Sequence, residues 1–265
     1  MELGLKNKKV LVAGSTKGIG KAIAAEFARE GTDVVINGRS EADVQRAVSE
    51  LAAKFKYAGI EGIAADIAKE SDRETMFKNL PTVDILVNNM GIFEPIEYFD
   101  ITDEIWEKFF RINVVFGNAL CKFYIPGMLL KRDFGRIVFI ASEEALMPSG
   151  QMPQYSMTKT MNLSLAKSLS KLTKGTNVTV NTVMPGSTLA EGAQEMLENM
   201  YKNSSVPKSE REKDFVKNHR PLSQIQRLIR PEEIGRFVAF VASPYSSSFS
   251  GAALRLDGGL VPTIF

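Results

Sequence analysis

The chain has 265 residues, 44% hydrophobic and 24% charged, a balance that suits a soluble globular protein and excludes a disordered or fibrous one. Lys plus Arg number 33 against Asp plus Glu 31, and a net charge of +2 gives no argument for a nucleic-acid or anionic-membrane partner. The single cysteine, Cys121, rules out an intrachain disulfide and, with no evident secretory signal, predicts a reducing, cytoplasmic setting.

The first β-branched run, KKVLVAG at 8–14, passes straight into a turn carrying Gly14, Gly18 and Gly20 ahead of an amphipathic helix. Strand, glycine-rich turn and helix N-terminus together make an anion site, because backbone N–H groups and the positive helix end face a pyrophosphate that glycines allow to approach. Ser15, Thr16, Lys17 and Ile19 complete the turn and are expected to border the same ligand. A second run, TDVVING at 32–38, leads to Arg39 and to Ser40, the expected N-cap of a helix over 41–57. Runs at 60–66 and 83–89 follow. The apolar stretch 112–130 contains two Asn, a Lys and a Pro and reads as a buried helix, not a membrane span. Further strands are expected at 135–142, 177–183 and 252–259, with Pro231, Glu232 and Glu233 opening a helix over 231–242. Near-continuous apolar strands with helix-length spacers predict an α/β fold. It is a single Rossmann-type domain over 1–265, a doubly wound parallel sheet of about seven strands with helices on both faces. Residues 188–229 break the rhythm and are expected to form a lid, with Met196, Leu197, Met200 and Tyr201 as an apolar helix face suited to a partly hydrophobic substrate.

Tyr155 and Lys159 stand four apart and therefore share a helix face. Alone, the pair fits a solvated Lys beside a half-buried Tyr as readily as catalysis. The spacing Gly-x-x-x-Gly-x-Gly, NNMG at 88–91, MPG at 184–186 and this pair, in this order, resemble the short-chain dehydrogenase/reductase family over nearly the whole chain. The resemblance implies an oxidoreductase that moves a hydride between a nicotinamide and a carbonyl or secondary alcohol. It implies a catalytic tetrad of Asn113, Ser142, Tyr155 and Lys159. Tyr155 would be the acid/base, Ser142 would hold the carbonyl oxygen, and Asn113 would organise a water relay. Lys159 would favour phenolate and bind the nicotinamide ribose. Cofactor contacts would extend to Asp66, Ile67, Asn88, Gly91, Pro185, Gly186 and Thr188. The chain departs from the family pattern at Ala13, Met90 and Ala190, the last standing where many members place a Thr.

Cofactor choice rests on the end of the second strand. An NAD-preferring member usually carries a carboxylate there for the ribose hydroxyls, whereas this chain has Gly38 followed by Arg39. A guanidinium grips a 2′-phosphate with two charge-assisted bonds and Lys17 adds a second cation, so NADP(H) is expected; the alternative is that both are solvated surface cations. His219 reads as a surface residue, Cys121 as packing, Trp106 and Phe109 as core. Glu143 and Glu144 read as a solvated pair, although the segment 143–152 often lines the substrate pocket in this family. Two narrower alternatives stay open. One is a 3-oxoacyl-carrier-protein reductase receiving an acidic carrier at Lys131, Arg132 and Lys174; the other is a non-catalytic NADP(H)-binding sensor. No metal is expected. A homodimer or homotetramer is expected through 112–130 and the helix from Pro153 to Lys174, whose Ser164, Ala166 and Ser168 permit close approach.

Overall fold

Each of the seven expected strands forms in a computed structural model that describes residues 2–131 and 133–264; six are trimmed and the sixth runs two residues past its expected end. They are β1 (Lys9–Ala13), β2 (Asp33–Gly38), β3 (Ile60–Ala64), β4 (Ile85–Asn88), β5 (Gly135–Ile140), β6 (Val178–Pro185) and β7 (Ala253–Leu256). All neighbours pair in parallel, in the order β3-β2-β1-β4-β5-β6-β7. The side-chain period of two divides β1 between two cores. Val10 and Val12 pack with α1 (Gly18–Arg29) and α9 (Pro231–Val241), while Leu11 packs opposite with α5 (Phe116–Lys131). β5 and β6 are buried along their whole length, so the polar residues they carry, Arg136, Thr179, Asn181 and Thr182, are buried with the apolar ones.

Local signals set the helix ends. Ser40 Oγ accepts from the Asp43 N–H at 3.3 Å and opens α2 (Glu41–Lys54), which stops three residues before the expected end. Thr102 caps α4 (Asp103–Phe110) in the same way, and Pro231 occupies the first turn of α9. The continuous helix Asp103–Lys131 is long and apolar enough to cross a membrane by length and composition, but its Leu120, Cys121, Tyr124 and Met128 lie buried against the sheet. It is a core helix, as the Asn, Lys and Pro within it imply. Burial pushes the Cys121 thiol up to about 12, which agrees with a packing role. Phe109 is buried, Trp106 is half-buried, and His219 is exposed with its ring stacked on Phe215.

The segment 188–229, expected to form a lid, contains α7 (Glu191–Met200) and α8 (Arg211–His219), and its ends meet where Thr188 bridges Ile229. Its apolar face departs from expectation. Leu197 and Tyr201 turn inward on Phe215, Val216 and Leu228 to make a small core of the segment's own, whereas Met196 and Met200 are exposed. Helical geometry gives the reason, since 196 and 200 share one stripe and 197 and 201 the next. The stripe along α6 (Pro153–Leu172) is likewise split, with Ala166 buried and Ser164 and Ser168 exposed. Of the cations proposed for a carrier, Lys131 pairs with Asp84 at 3.9 Å, Lys174 is exposed, and Arg132 lies outside the described residues.

Candidate active site

Strand order reverses at β1, which has β2 on one side and β4 on the other, and a crevice opens at the carboxyl ends of these strands. Gly14 and Gly18 take φ values of 68° and 60°, the left-handed region that the turn requires. A Cβ at Gly20 would stand 2.2 Å from the Gly14 carbonyl oxygen, so only glycine lets α1 start this close to β1. Ser15 is fully buried and pins the turn: its Oγ donates to the Val12 carbonyl at 2.6 Å and accepts from the Asn37 N–H at 3.1 Å. Lys17, the N-cap of α1, makes no side-chain capping bond, which leaves first-turn N–H groups for an anion.

The resulting cleft holds about 520 Å³. Gly14, Thr16, Lys17, Gly18 and Ile19 line one wall, and Arg39, Asp66 and Ile67 line the end beyond β2 and β3. Gly91, Tyr155 and Lys159 line the opposite end. Arg39 and Lys17 are exposed there and, among the described residues, neither enters an ion pair. Other expected contacts do not line the cleft. Asn88 turns away beneath β4 and its Nδ2 donates to Cys121 Sγ at 3.2 Å; strand alternation gives the cleft to Asn89, which holds the Gly14 carbonyl at 2.8 Å. Gly20 and Ser15 serve the turn from inside. Gly186 exists for packing, a Cβ there standing 2.9 Å from the Asp257 backbone, and the Thr188 hydroxyl is spent on the Gly186 carbonyl at 2.8 Å. Pro185, which ends β6, is also absent from the wall. Phe93 and Glu191 do line it, and no sequence signal had marked them.

Three elements bring the expected tetrad together. Ser142 follows β5, Tyr155 and Lys159 share a face of α6, and Asn113 sits in a π turn, Arg111–Val115, between α4 and α5. Such turns bend a helix where function needs a group displaced. The Asn113 side chain accepts from the Ile92 N–H at 2.8 Å and donates to the Ile92 carbonyl at 3.0 Å and Thr158 Oγ1 at 2.9 Å. It therefore ties α5 to the loop after β4 and to α6. Lys159 is buried, its Nζ donates to the Ile140 carbonyl at 2.9 Å, and it lies 5.4 Å from the Tyr155 ring centroid. Burial lowers Lys159 to about 8. Burial raises Tyr155 above the ordinary phenol value, the Glu143 charge adds to this, and the facing Ser142 hydroxyl opposes it.

A sequence model described as short chain dehydrogenase matches residues 8–200. The chain belongs to the short-chain dehydrogenase family. It is 52% identical to the uncharacterised oxidoreductase YvaG of Bacillus subtilis across all of both chains. With the D-beta-hydroxybutyrate dehydrogenase of Cupriavidus necator it shares 31% identity over 97% of this chain and 99% of that one. The L-sorbose reductase of Gluconobacter frateurii, solved with NADPH and L-sorbose, superposes with a TM-score of 0.91 at 28% identity over the whole of both chains. As a short-chain dehydrogenase the chain is an oxidoreductase, and its seven-stranded parallel sheet is the family's fold.

The buried lysine of this short-chain dehydrogenase predicts a pH effect on stability. Lys159 falls from 10.5 to about 8 in the fold, so between those values the unfolded chain binds more protons and stability rises with pH. At about 1.4 kcal/mol per pKa unit the rise is on the order of 3 kcal/mol. Tyr155 and Cys121, both raised, act in the opposite sense at alkaline pH, so the difference between wild type and Lys159→Met isolates the lysine. Urea titrations at pH 8 and pH 10 are expected to show wild type gaining on the variant. A constant difference would place the ammonium in water.

Proposed function

We propose that the chain is an NADP(H)-dependent carbonyl reductase, acting reversibly on the secondary alcohol, with Tyr155 as acid/base. The observation that carries this reading is the pairing of two ends of one cleft. Tyr155, facing Ser142 and held protonated by burial, stands at one end; Arg39 and Lys17, both uncommitted cations, stand at the other. The residues present fit such a cofactor. Gly14 and Gly18 form a backbone cradle at an uncapped helix start, and a Cβ at Gly91 would come within 3.2 Å of Lys159 Nζ. Bound NADPH would supply a hydride to the carbonyl carbon. Arg39 and Lys17 would hold the 2′-phosphate, the turn N–H groups the pyrophosphate, and Lys159 the nicotinamide ribose. Tyr155 would give its proton to the carbonyl oxygen while Ser142 holds that oxygen. Asn113 fixes the loop and helix on which this geometry depends.

NADPH-bound L-sorbose reductase among the structural relatives supports the cofactor, and D-beta-hydroxybutyrate dehydrogenase among the sequence relatives leaves both a ketose and a small 3-oxo acid open. The test is a panel of 2-ketoses, 3-oxo acids, 3-oxoacyl thioesters and simple ketones, followed by loss of NADPH absorbance. Carbonyl-dependent loss is expected; tight NADPH binding with no loss on any member would favour the sensor. We also propose a soluble, cytoplasmic homodimer or homotetramer. Phe99, Phe110, Leu130 and Leu172 are exposed large hydrophobic side chains on or beside α4, α5 and α6. Light scattering at micromolar concentration is expected to give a multiple of the 29.2 kDa chain mass. A monomer would refute assembly.

A further inference from the structure

Glu143 and Glu144, which the sequence suggests are solvated, are buried. Glu144 has a structural explanation: its Oε2 accepts from the Ser149 N–H and the Ser156 hydroxyl. Glu143 has a different neighbourhood. Its Oε2 lies 2.6 Å from Ser142 Oγ, and its Oε1 meets the Ser187 hydroxyl at 3.4 Å, which in turn accepts from Arg220 Nε at 2.8 Å. No cation touches the carboxyl directly among the described residues.

A serine hydroxyl has one hydrogen to donate and two lone pairs to accept with. One lone pair of Ser142 is taken by the Glu144 N–H at 3.2 Å. When Glu143 is ionised, the single hydrogen of Ser142 goes to the carboxylate, and the hydroxyl has nothing left to donate to a substrate. When Glu143 is protonated, the same 2.6 Å contact carries the hydrogen the other way: the acid donates, the second lone pair is filled, and the Ser142 hydrogen is released. A carbonyl oxygen needs donors only. We propose that Glu143 is a positioning residue that sets the direction of the Ser142 hydroxyl, its protonated form preparing the site for carbonyl reduction and its ionised form opposing it. This rests on the reductase reading above.

The charged surroundings agree. Burial raises the Glu143 carboxyl above its ordinary value; Glu144 on the same turn adds to the rise, and Arg220 at the end of α8 and the Ser142 bond offset part of it. From α6 it faces Tyr155, whose phenolate its charge opposes, with Lys159 behind that ring. Glu143 keeps its proton through turnover, since Tyr155 supplies the one that reaches oxygen, so no net atom is exchanged at the carboxyl.

The test uses the full chain with NADPH and para-nitrobenzaldehyde. Wild-type kcat/KM for reduction is expected to fall by about tenfold per pH unit above the Glu143 pKa, well below the alkaline loss from Tyr155. Glu143→Gln, whose amide NH2 donates to Ser142 Oγ when its oxygen accepts from the Ser187 hydroxyl, is expected to abolish this lower limb and to move the Tyr155 limb to lower pH. Glu144→Gln alters the adjacent carboxyl and is expected to keep the lower limb. Independently of turnover, the infrared carbonyl band of a buried protonated acid is expected to titrate in the wild-type protein at the same pH as the limb and to be missing from Glu143→Gln. A lower limb that survives in Glu143→Gln, or an infrared band that titrates apart from it, overturns the proposal. If wild type reduces neither this aldehyde nor any member of the carbonyl panel above, the reductase reading fails. In that case the infrared titration decides the state of Glu143, an ionised carboxyl throughout the neutral range removing the switch.

Discussion

Replacing Tyr155 by Phe is expected to leave NADPH affinity nearly unchanged and to lower turnover by at least ~10²-fold. The substitution deletes one hydroxyl at the inner end of the cleft and hardly alters volume, so the wall that binds the cofactor stays in place. What disappears is the phenol that faces Ser142 and would release a proton to a carbonyl oxygen. Burial keeps that group protonated near neutrality, the state reduction requires. Lys159→Met is expected to differ by losing both turnover and affinity, because Lys159 borders the cleft as well as the Tyr155 ring. Fluorescence titration with NADPH beside steady-state rates separates the two outcomes. Retained turnover in Tyr155→Phe would remove the phenol from the mechanism.

Arg39→Ala is expected to reduce the preference for NADPH over NADH by on the order of 10 to 100-fold. A hydrogen bond to a charged group contributes roughly 1.5 to 3 kcal/mol, which converts to that range. Arg39 is exposed, lines the cleft just past β2 and has no carboxylate partner among the described residues, so its removal disturbs little else. Adding a carboxylate with Gly38→Asp is a less clean companion than the sequence suggests. A Cβ at Gly38 would stand 2.5 Å from Thr16 Cγ2 and 3.3 Å from Val44 Cγ2, so the glycine turn itself must yield. The ratio of kcat/KM for the two cofactors measures the effect; a ratio indifferent to Arg39→Ala would show that the guanidinium does not read the phosphate.

The sheet was legible because its inner strands are buried on both faces and are rich in β-branched and apolar residues, and the glycine turn because its backbone needs residues without Cβ. The tetrad could be read only through its order and spacing. Ser142 and Asn113 carry no distinctive local signal, and the π turn that positions Asn113 looks like ordinary helix in sequence. Asn88 was assigned to the cleft when strand alternation gives that place to Asn89, a difference of one residue that reverses the face. The apolar face in 188–229 differs for a related reason: Met196, Leu197, Met200 and Tyr201, on and just past α7, divide into two stripes, and the inner one is satisfied by Phe215 and Leu228 of the same segment. Adjacent glutamates normally mean a solvated surface. Glu143 and Glu144 directly follow β5, but the pair itself does not announce the cover it receives from α6 or, for Glu143, from Ser187 and the Arg220 behind it, which stand much later in the chain.

Transfer between the nicotinamide and a carbonyl at Tyr155 is the central step of the proposed reaction. The direct measurement mixes the protein with NADPH deuterated at its transferable position and a carbonyl that consumes it, then examines the recovered alcohol by mass spectrometry. Deuterium is expected on the carbinol carbon, one atom for each NADPH consumed, with transfer lost in Tyr155→Phe. NADPH that binds yet leaves no deuterium in any product, or transfer that proceeds equally without the Tyr155 hydroxyl, would contradict that step.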